Sequence, residues 1–240
     1  MALTFKSIYE KAINLFDDPI IQRAYVEDTV RWERLMYPHL ENGINQFSNP
    51  TKIAYLLVDQ KLPSGQVEVF DGNGTAIYNV SADFVPEEGA EFSFRIGTQY
   101  DPAAKYENGV VTFSREVPVG SKCGVEWYSP GQFNTDFKEA ASSTTSADVI
   151  AYKVRDILAR ALVLAWATNE EDFLLDIRRN LNDTDFKLYS EANSIRSKVE
   201  WVNQLKFQLD SLTTKLAWDV VSRKYHGGNY YGLISEVDYF

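Results

Sequence analysis

Glycine and proline are placed very unevenly along this chain. Residues 51–130 hold 8 of the 13 glycines and 5 of the 8 prolines, whereas residues 132–226 hold neither. Proline removes a backbone donor and fixes φ, glycine leaves the chain unconstrained, and both mark turns and end helices. The middle of the chain must therefore be turn-rich, and the stretch after it is free to run as long helices. A chain of 240 residues buries roughly three-quarters of its unfolded surface, so a core forms without staples. The single cysteine, Cys123, excludes an internal disulfide and a cysteine-built zinc site.

The first fifty residues carry helical periodicity. Thr4 is placed to cap a first helix, in which Phe5, Ile8, Tyr9, Ala12, Leu15 and Phe16 recur at three- and four-residue steps. Asp17-Asp18-Pro19 breaks it and starts a second, with Asp18 as N-cap and Pro19 at the favoured first position. The second helix is expected to run to about Tyr37, where Pro38 stops it. Arg23, Arg31 and Arg34 lie among Glu27, Asp28 and Glu33, the pattern of a solvated or intersubunit face rather than a phosphate site.

The middle third predicts strands at 53–58, 67–70, 76–80, 92–96, 110–113 and 125–128. These runs are rich in β-branched and aromatic residues, and several alternate in period two. Asp71-Gly-Asn-Gly74, Pro86-Glu-Glu-Gly89, Asp101-Pro102 and Asn108-Gly109 separate them as turns. The last third predicts helices again, one capped by Ser146, one starting after Thr168, and one from Asp183 or Thr184 to Tyr225. Leading into and along the third, Leu181, Leu188, Ile195, Val202, Leu209 and Leu216 repeat every seven residues, while the partner column turns polar at Lys206 and Thr213. That is a coiled-coil-like seam for part of a helix of about 40 residues, roughly 60 Å long. Gly227-Gly228 is the expected C-cap.

The fold class that follows is α+β: a discontinuous helical bundle, 1–50 plus 131–226, with long C-terminal helices and an inserted small antiparallel β-sandwich or barrel at 51–130. A docking tail, 227–240, completes the chain. Tyr230, Tyr231, Leu233, Ile234, Val237, Tyr239 and Phe240 make this tail too apolar to stay solvated, and they are the candidate partner-binding residues.

Candidate chemistry is sparse. His39 and His226 are the only histidines, without metal spacing or a G-x-S-x-G elbow. Asp71-Gly-Asn-Gly-Thr75 opens like a calcium loop but has Ala76 and Ala82 where that loop needs glycine and glutamate, so a hairpin turn between 67–70 and 76–80 explains it better. Val119-Gly-Ser-Lys-Cys-Gly124 lacks the phosphate-loop order and reads as a surface turn, with Cys123 a small strand-edge residue rather than a thiolate activated beside Lys122. Glu87-Glu88 and Glu170-Glu171-Asp172 are sequence neighbours, not carboxylates facing across a cleft. Trp127, Tyr128, Tyr100 and Tyr106 form either a core or a sugar platform. The expectation is a chain that is not an enzyme, with no cofactor and no metal.

The net charge of −10 argues against sequence-tolerant nucleic-acid binding, which needs phosphate neutralisation. No apolar run reaches membrane-span length, and the alternating N-terminus MALTFKSIYEKAINLF lacks a secretory apolar block.

The helix pair broken at Asp17-Asp18-Pro19, the long helices of 147–225 and the aromatic tail 229–240 together resemble the head-to-tail connector proteins of tailed bacteriophages, also called head-completion or adaptor proteins. The resemblance covers the helical parts and the tail; the insert 51–130 is much larger than the β element of the compact family members. It implies a structural virion protein of the neck, assembled in the host cytoplasm into a homo-oligomeric ring, usually of twelve in that family. Its partners would be the portal protein, reached by the tail, and tail proteins. DNA would pass through an acidic channel without specific binding, and no membrane would be involved. The alternative is a binding module whose β insert recognises a carbohydrate or a partner protein.

Overall fold

The computed structural model describes residues 3–16, 18–141, 144–180 and 189–226. Six α-helices are present among them: α1 (Phe5–Ala12), α2 (Pro19–Glu27), α3 (Thr29–Gln46), α4 (Thr51–Val58), α5 (Thr144–Asn180) and α6 (Tyr189–His226). Between α4 and α5 run β1 (Gln60–Lys61), β2 (Ser64–Asp71), β3 (Ile77–Asn79), β4 (Glu91–Ile96), β5 (Gln99–Tyr100), β6 (Lys105–Glu107), β7 (Val110–Thr112), β8 (Lys122–Ser129) and β9 (Gln132–Phe133). The fold is α+β, with antiparallel sheets inserted into a helical framework. The described residues form two compact units, one from 3–16, 36–60, 133–141, 144–180 and 189–226, the other from 18–35 and 61–132.

In the helical unit, Thr4 caps α1 as expected, its Oγ1 accepting from the Ser7 N–H at 3.3 Å. Phe5, Ile8, Tyr9 and Ala12 are fully buried on one face of α1. Phe5 packs edge-on against Phe133 at 5.2 Å, and Phe16 against Trp166 at 5.1 Å. α5 runs unbroken for 37 residues, about 55 Å. The expected new start after Thr168 does not occur. Thr168 instead donates its hydroxyl to the Leu164 carbonyl at 2.8 Å, four residues back within the helix. Ile150, Val154, Ile157, Leu158 and Leu162 bury the central face of α5, and Val202, Leu205, Leu216 and Val220 bury that of α6. Of the seven-residue column, Val202 and Leu216 are buried and Leu209 is half-buried. The side chains of Ser146 and Ile195 lie outside the described residues, as do Leu181, Leu188, Asp183, Thr184 and Gly227-Gly228.

Two segments differ from expectation in this part of the chain. Residues 53–58 are helix, not strand: the N–H groups of Ile53 and Ala54 both donate to the Pro50 carbonyl, starting α4. Ile53 and Leu57 are buried four residues apart, while Tyr55 and Val58 face solvent. Pro38 does not stop a helix either but lies inside α3. An interior proline costs about 3 kcal/mol, yet Met36, Leu40 and Ile44 recur every four residues on either side of it and are all buried. Their packing holds the helix through the proline. Gly43 lies close against α5, since a Cβ there would come within 2.8 Å of the Ala161 Cβ.

The second unit holds two sheets, ordered β2-β8-β4-β5 and β3-β7-β6. Phe94, Ile96, Cys123, Val125 and Trp127 from the first meet Tyr78 and Val111 from the second, and Phe113 just after β7, in one apolar core. Asn108 and Gly109, at φ 50° and 82°, form the two-residue turn between β6 and β7 that the sequence announces; both central positions of such a turn need positive φ. The expected hairpin at Asp71-Gly-Asn-Gly74 is absent, because β2 and β3 belong to different sheets. That loop is a corner. Asn73 Oδ1 accepts from Thr75 N–H, Thr75 Oγ1 and Tyr78 Oη at 2.7–3.0 Å, and a Cβ on Gly72 would fall 2.1 Å from the Pro118 carbonyl oxygen.

Residues 18–35 join this unit rather than the helical one. Asp18 caps α2, accepting from Ile20 N–H at 2.8 Å. α2 then ends at Glu27 instead of running on to Tyr37, because Asp28 takes up a non-helical φ of −152° and commits its carboxylate elsewhere.

Candidate functional site

Strand register explains which side chains share the outer face of the four-stranded sheet. Val67, Glu126 and Ser93 form one cross-strand row, and Val69, Gly124 and Arg95 the next. The opposite face carries Cys123, Val125 and Trp127 into the core. Against the outer face lie residues 28–34. Asp28 Oδ2 accepts from Ser93 Oγ at 2.7 Å and from Arg95 Nε and Nη2 at 3.1 and 3.0 Å. Its Oδ1 accepts from the Arg31 N–H at 3.1 Å, capping α3. Arg34 pairs with Glu126. Burial pushes the Glu126 carboxyl up, with Asp28 adding to the rise and Arg34 and Arg31 opposing it. Arg31, Arg34, Ser93, Arg95 and Glu126 border a cavity of about 210 Å³.

The helical unit offers a different surface. A groove of about 600 Å³ runs along α5 and α6, lined by Phe47, Ile157, Leu164, Leu209, Asp210 and Thr213. It opens where the seven-residue repeat turns polar, at Lys206 and Thr213. Beside it on α6, Phe207 is 76% exposed and Trp218 65% exposed. They are eleven residues apart, just over three turns, so both lie along one line of the helix. Arg160 on α5 reaches Gln208 on α6 at 2.8 Å, and Lys153 pairs with Asp219, tying the two helices together.

The sequence-predicted partner residues Tyr230, Tyr231, Leu233, Ile234, Val237, Tyr239 and Phe240 lie outside the described residues, as do the side chains of Glu170, Glu171, Asp172 and His226. His39 is half-buried on α3. Glu87 accepts from Lys61 Nζ at 2.8 Å and Ser64 Oγ at 2.6 Å, and the hydrogen bond from Lys61 holds its carboxyl below the usual range. Cys123 is buried, and burial pushes its thiol up, away from the reactive thiolate. Trp127 and Tyr128 are each only 3% exposed, and Tyr106 stacks on Phe92 at 5.0 Å. Trp127 and Tyr128 therefore belong to the packed interior and cannot form a sugar platform; Tyr106 is partly buried and Tyr100 is at the surface.

The Arg31 cavity was not legible in the sequence. Its members come from four separated stretches, and only strand register brings them together. Among the described residues no group of three or more His, Cys, Asp or Glu is placed to hold a metal ion, and no helix is long and apolar enough to cross a membrane. No protein-family model, curated protein or solved structure matches the chain.

Proposed function

We propose that this chain is a structural virion protein, one subunit of a homo-oligomeric ring at the head-to-tail junction of a tailed bacteriophage, adapting the portal to the tail. The observation that carries the reading is the apolar line on α6. Phe207 and Trp218 stand in solvent on a 38-residue helix whose other face is already buried against α5. Large aromatics held rigidly on one line of a long helix suit a neighbouring copy better than water. Closed rings arise from such heterologous contacts, in which the surface presented differs from the surface received. The resemblance of the layout to phage connectors supplies the location, and the sequence of the apolar tail supplies the contact with the portal. With a charge of −10 per subunit, a ring would line a channel that repels passing DNA.

Quantitative mass spectrometry of gradient-purified virus particles from the source culture tests the proposal. The expected result is this chain in the particles at a ring-like copy number, far below that of a shell protein. Its absence from particles would overturn the reading. Deleting 229–240 is expected to leave the fold intact and abolish attachment.

A further inference from the structure

The cavity beside β8 is basic within an acidic chain. Arg31, Arg34, Arg95 and Lys122 line it around Gly124 and Glu126. Three of the four cations are neutralised: Arg34 by Glu126, Arg95 by Asp28 and Lys122 by Asp71. The fourth is not. The guanidinium of Arg31, which is half-buried, makes no hydrogen bond or close ion pair among the described residues; it acts on Glu126 only through space, behind the nearer Arg34. The floor of the cavity is bare because position 124 is glycine. A Cβ there would come within 2.9 Å of the Glu68 carbonyl oxygen, so the strand pairing itself keeps that floor free of a side chain. Val67 and Val69, 52% and 61% exposed, flank the opening.

We propose that this cavity receives an Asp or Glu side chain from an acidic, apolar-flanked peptide segment of a protein partner, held by the Arg31 guanidinium. A guanidinium fork matches a carboxylate with two parallel N–H···O bonds. Four cations set against the three carboxylates of Glu126, Asp28 and Asp71 leave one net positive charge, which suits a monoanion. A phosphate dianion would bring its second charge against the carboxylates of Asp28 and Glu126. A polynucleotide is opposed further by the −10 charge of the whole chain. The exposed valines provide the apolar contact for residues on either side of the acid. This site stands apart from the ring reading and needs no particular assembly.

The test uses the full chain, titrated with the blocked tripeptide acetyl-Val-Glu-Val-amide, with its Gln counterpart, and with inorganic phosphate. Arginine side-chain Nε–Hε signals report binding. The Glu peptide is expected to shift the Arg31 signal saturably, and the Gln peptide to bind about tenfold more weakly or not at all. Arg31→Gln is expected to lose the Glu preference, Arg31→Lys to retain part of it, and the exposed control Arg23→Ala to leave it unchanged. Melting curves on each variant separate loss of the site from loss of the fold. Equal response to the Glu and Gln peptides, or an Arg31→Gln chain that still prefers Glu, would overturn the site. Phosphate binding tighter than the Glu peptide would overturn the carboxylate assignment.

Discussion

Asp28 ends one helix, starts the next and anchors a strand, because its N–H donates to Ala24 while its carboxylate accepts from the Arg31 N–H, Ser93 and Arg95. The residue is only 5% exposed. Removing one partner of a buried pair strands the other charge, which costs more than the pair contributes. Asp28→Ala is therefore expected to destabilise the chain by about 3 kcal/mol, read as a lower urea midpoint. Glu126 behaves oppositely. Its surroundings are Arg34 and Arg31 on α3, Asp28 before it, Ser93 and Arg95 on β4 and Val67 on β2, and burial raises its carboxyl above the unfolded value. Below the unfolded pKa both states are protonated and the residue costs nothing. As pH rises through that value and on past the folded one, the ionised form is penalised only in the folded chain, so stability falls. Glu126→Gln, which mimics the protonated acid, is expected to be more stable than the parent at pH 7, with the difference vanishing below about pH 4. Urea midpoints at both pH values measure it. A parent chain that is the more stable at neutral pH would mean the Arg34 pair outweighs the burial.

At the scale of elements, α3 shows what periodicity reveals and what it misses. Pro38 is a strong local stop signal, but Met36 before it and Leu40 and Ile44 after it recur every four residues and are all buried, so packing prevailed. Asp28 looks like one more charge in a charged helix, yet it is the break, because the strand that needs its carboxylate lies sixty-five residues further on. The same limit explains 53–58, where a continuous apolar run fits strand or helix equally and only the burial of Ile53 and Leu57 decides. The long helices were legible because nothing between 132 and 226 interrupts them. Asn108-Gly109 was legible because its turn chemistry is local. The Gly72 corner was not, since its partners at Pro118 and Ser121 are distant in sequence. Gly43 carries the sharpest element-scale prediction. The 2.8 Å separation between its would-be Cβ and Ala161 leaves no room for branching where α3 crosses α5. Gly43→Val is expected to lose about 1–3 kcal/mol by overpacking, despite valine's better helix propensity. A paired Ala161→Gly change should return part of the loss; a double mutant no better than Gly43→Val alone would remove the crossing from the explanation.

At the scale of the whole molecule, the two candidate surfaces answer to salt with opposite sign. Copies carrying −10 each repel, and the repulsion between exposed charges is screened within about 8 Å at physiological ionic strength. Association driven by Phe207 and Trp218 gains nothing from charge, so screening can only help it. A carboxylate on Arg31 gains from charge, so screening weakens it. Ring assembly through the α6 line is thus expected to strengthen between about 0.05 and about 0.5 M NaCl, seen by light scattering as a rise in mass at fixed chain concentration. The double change Phe207→Glu and Trp218→Glu, at two side chains that are largely exposed, should leave the melting temperature nearly unchanged and hold the chain monomeric at both salt concentrations. If higher salt instead dissolves the assembly, and Arg31→Gln dissolves it at low salt, the contact between copies runs through the basic cavity and the helix line is not the ring interface.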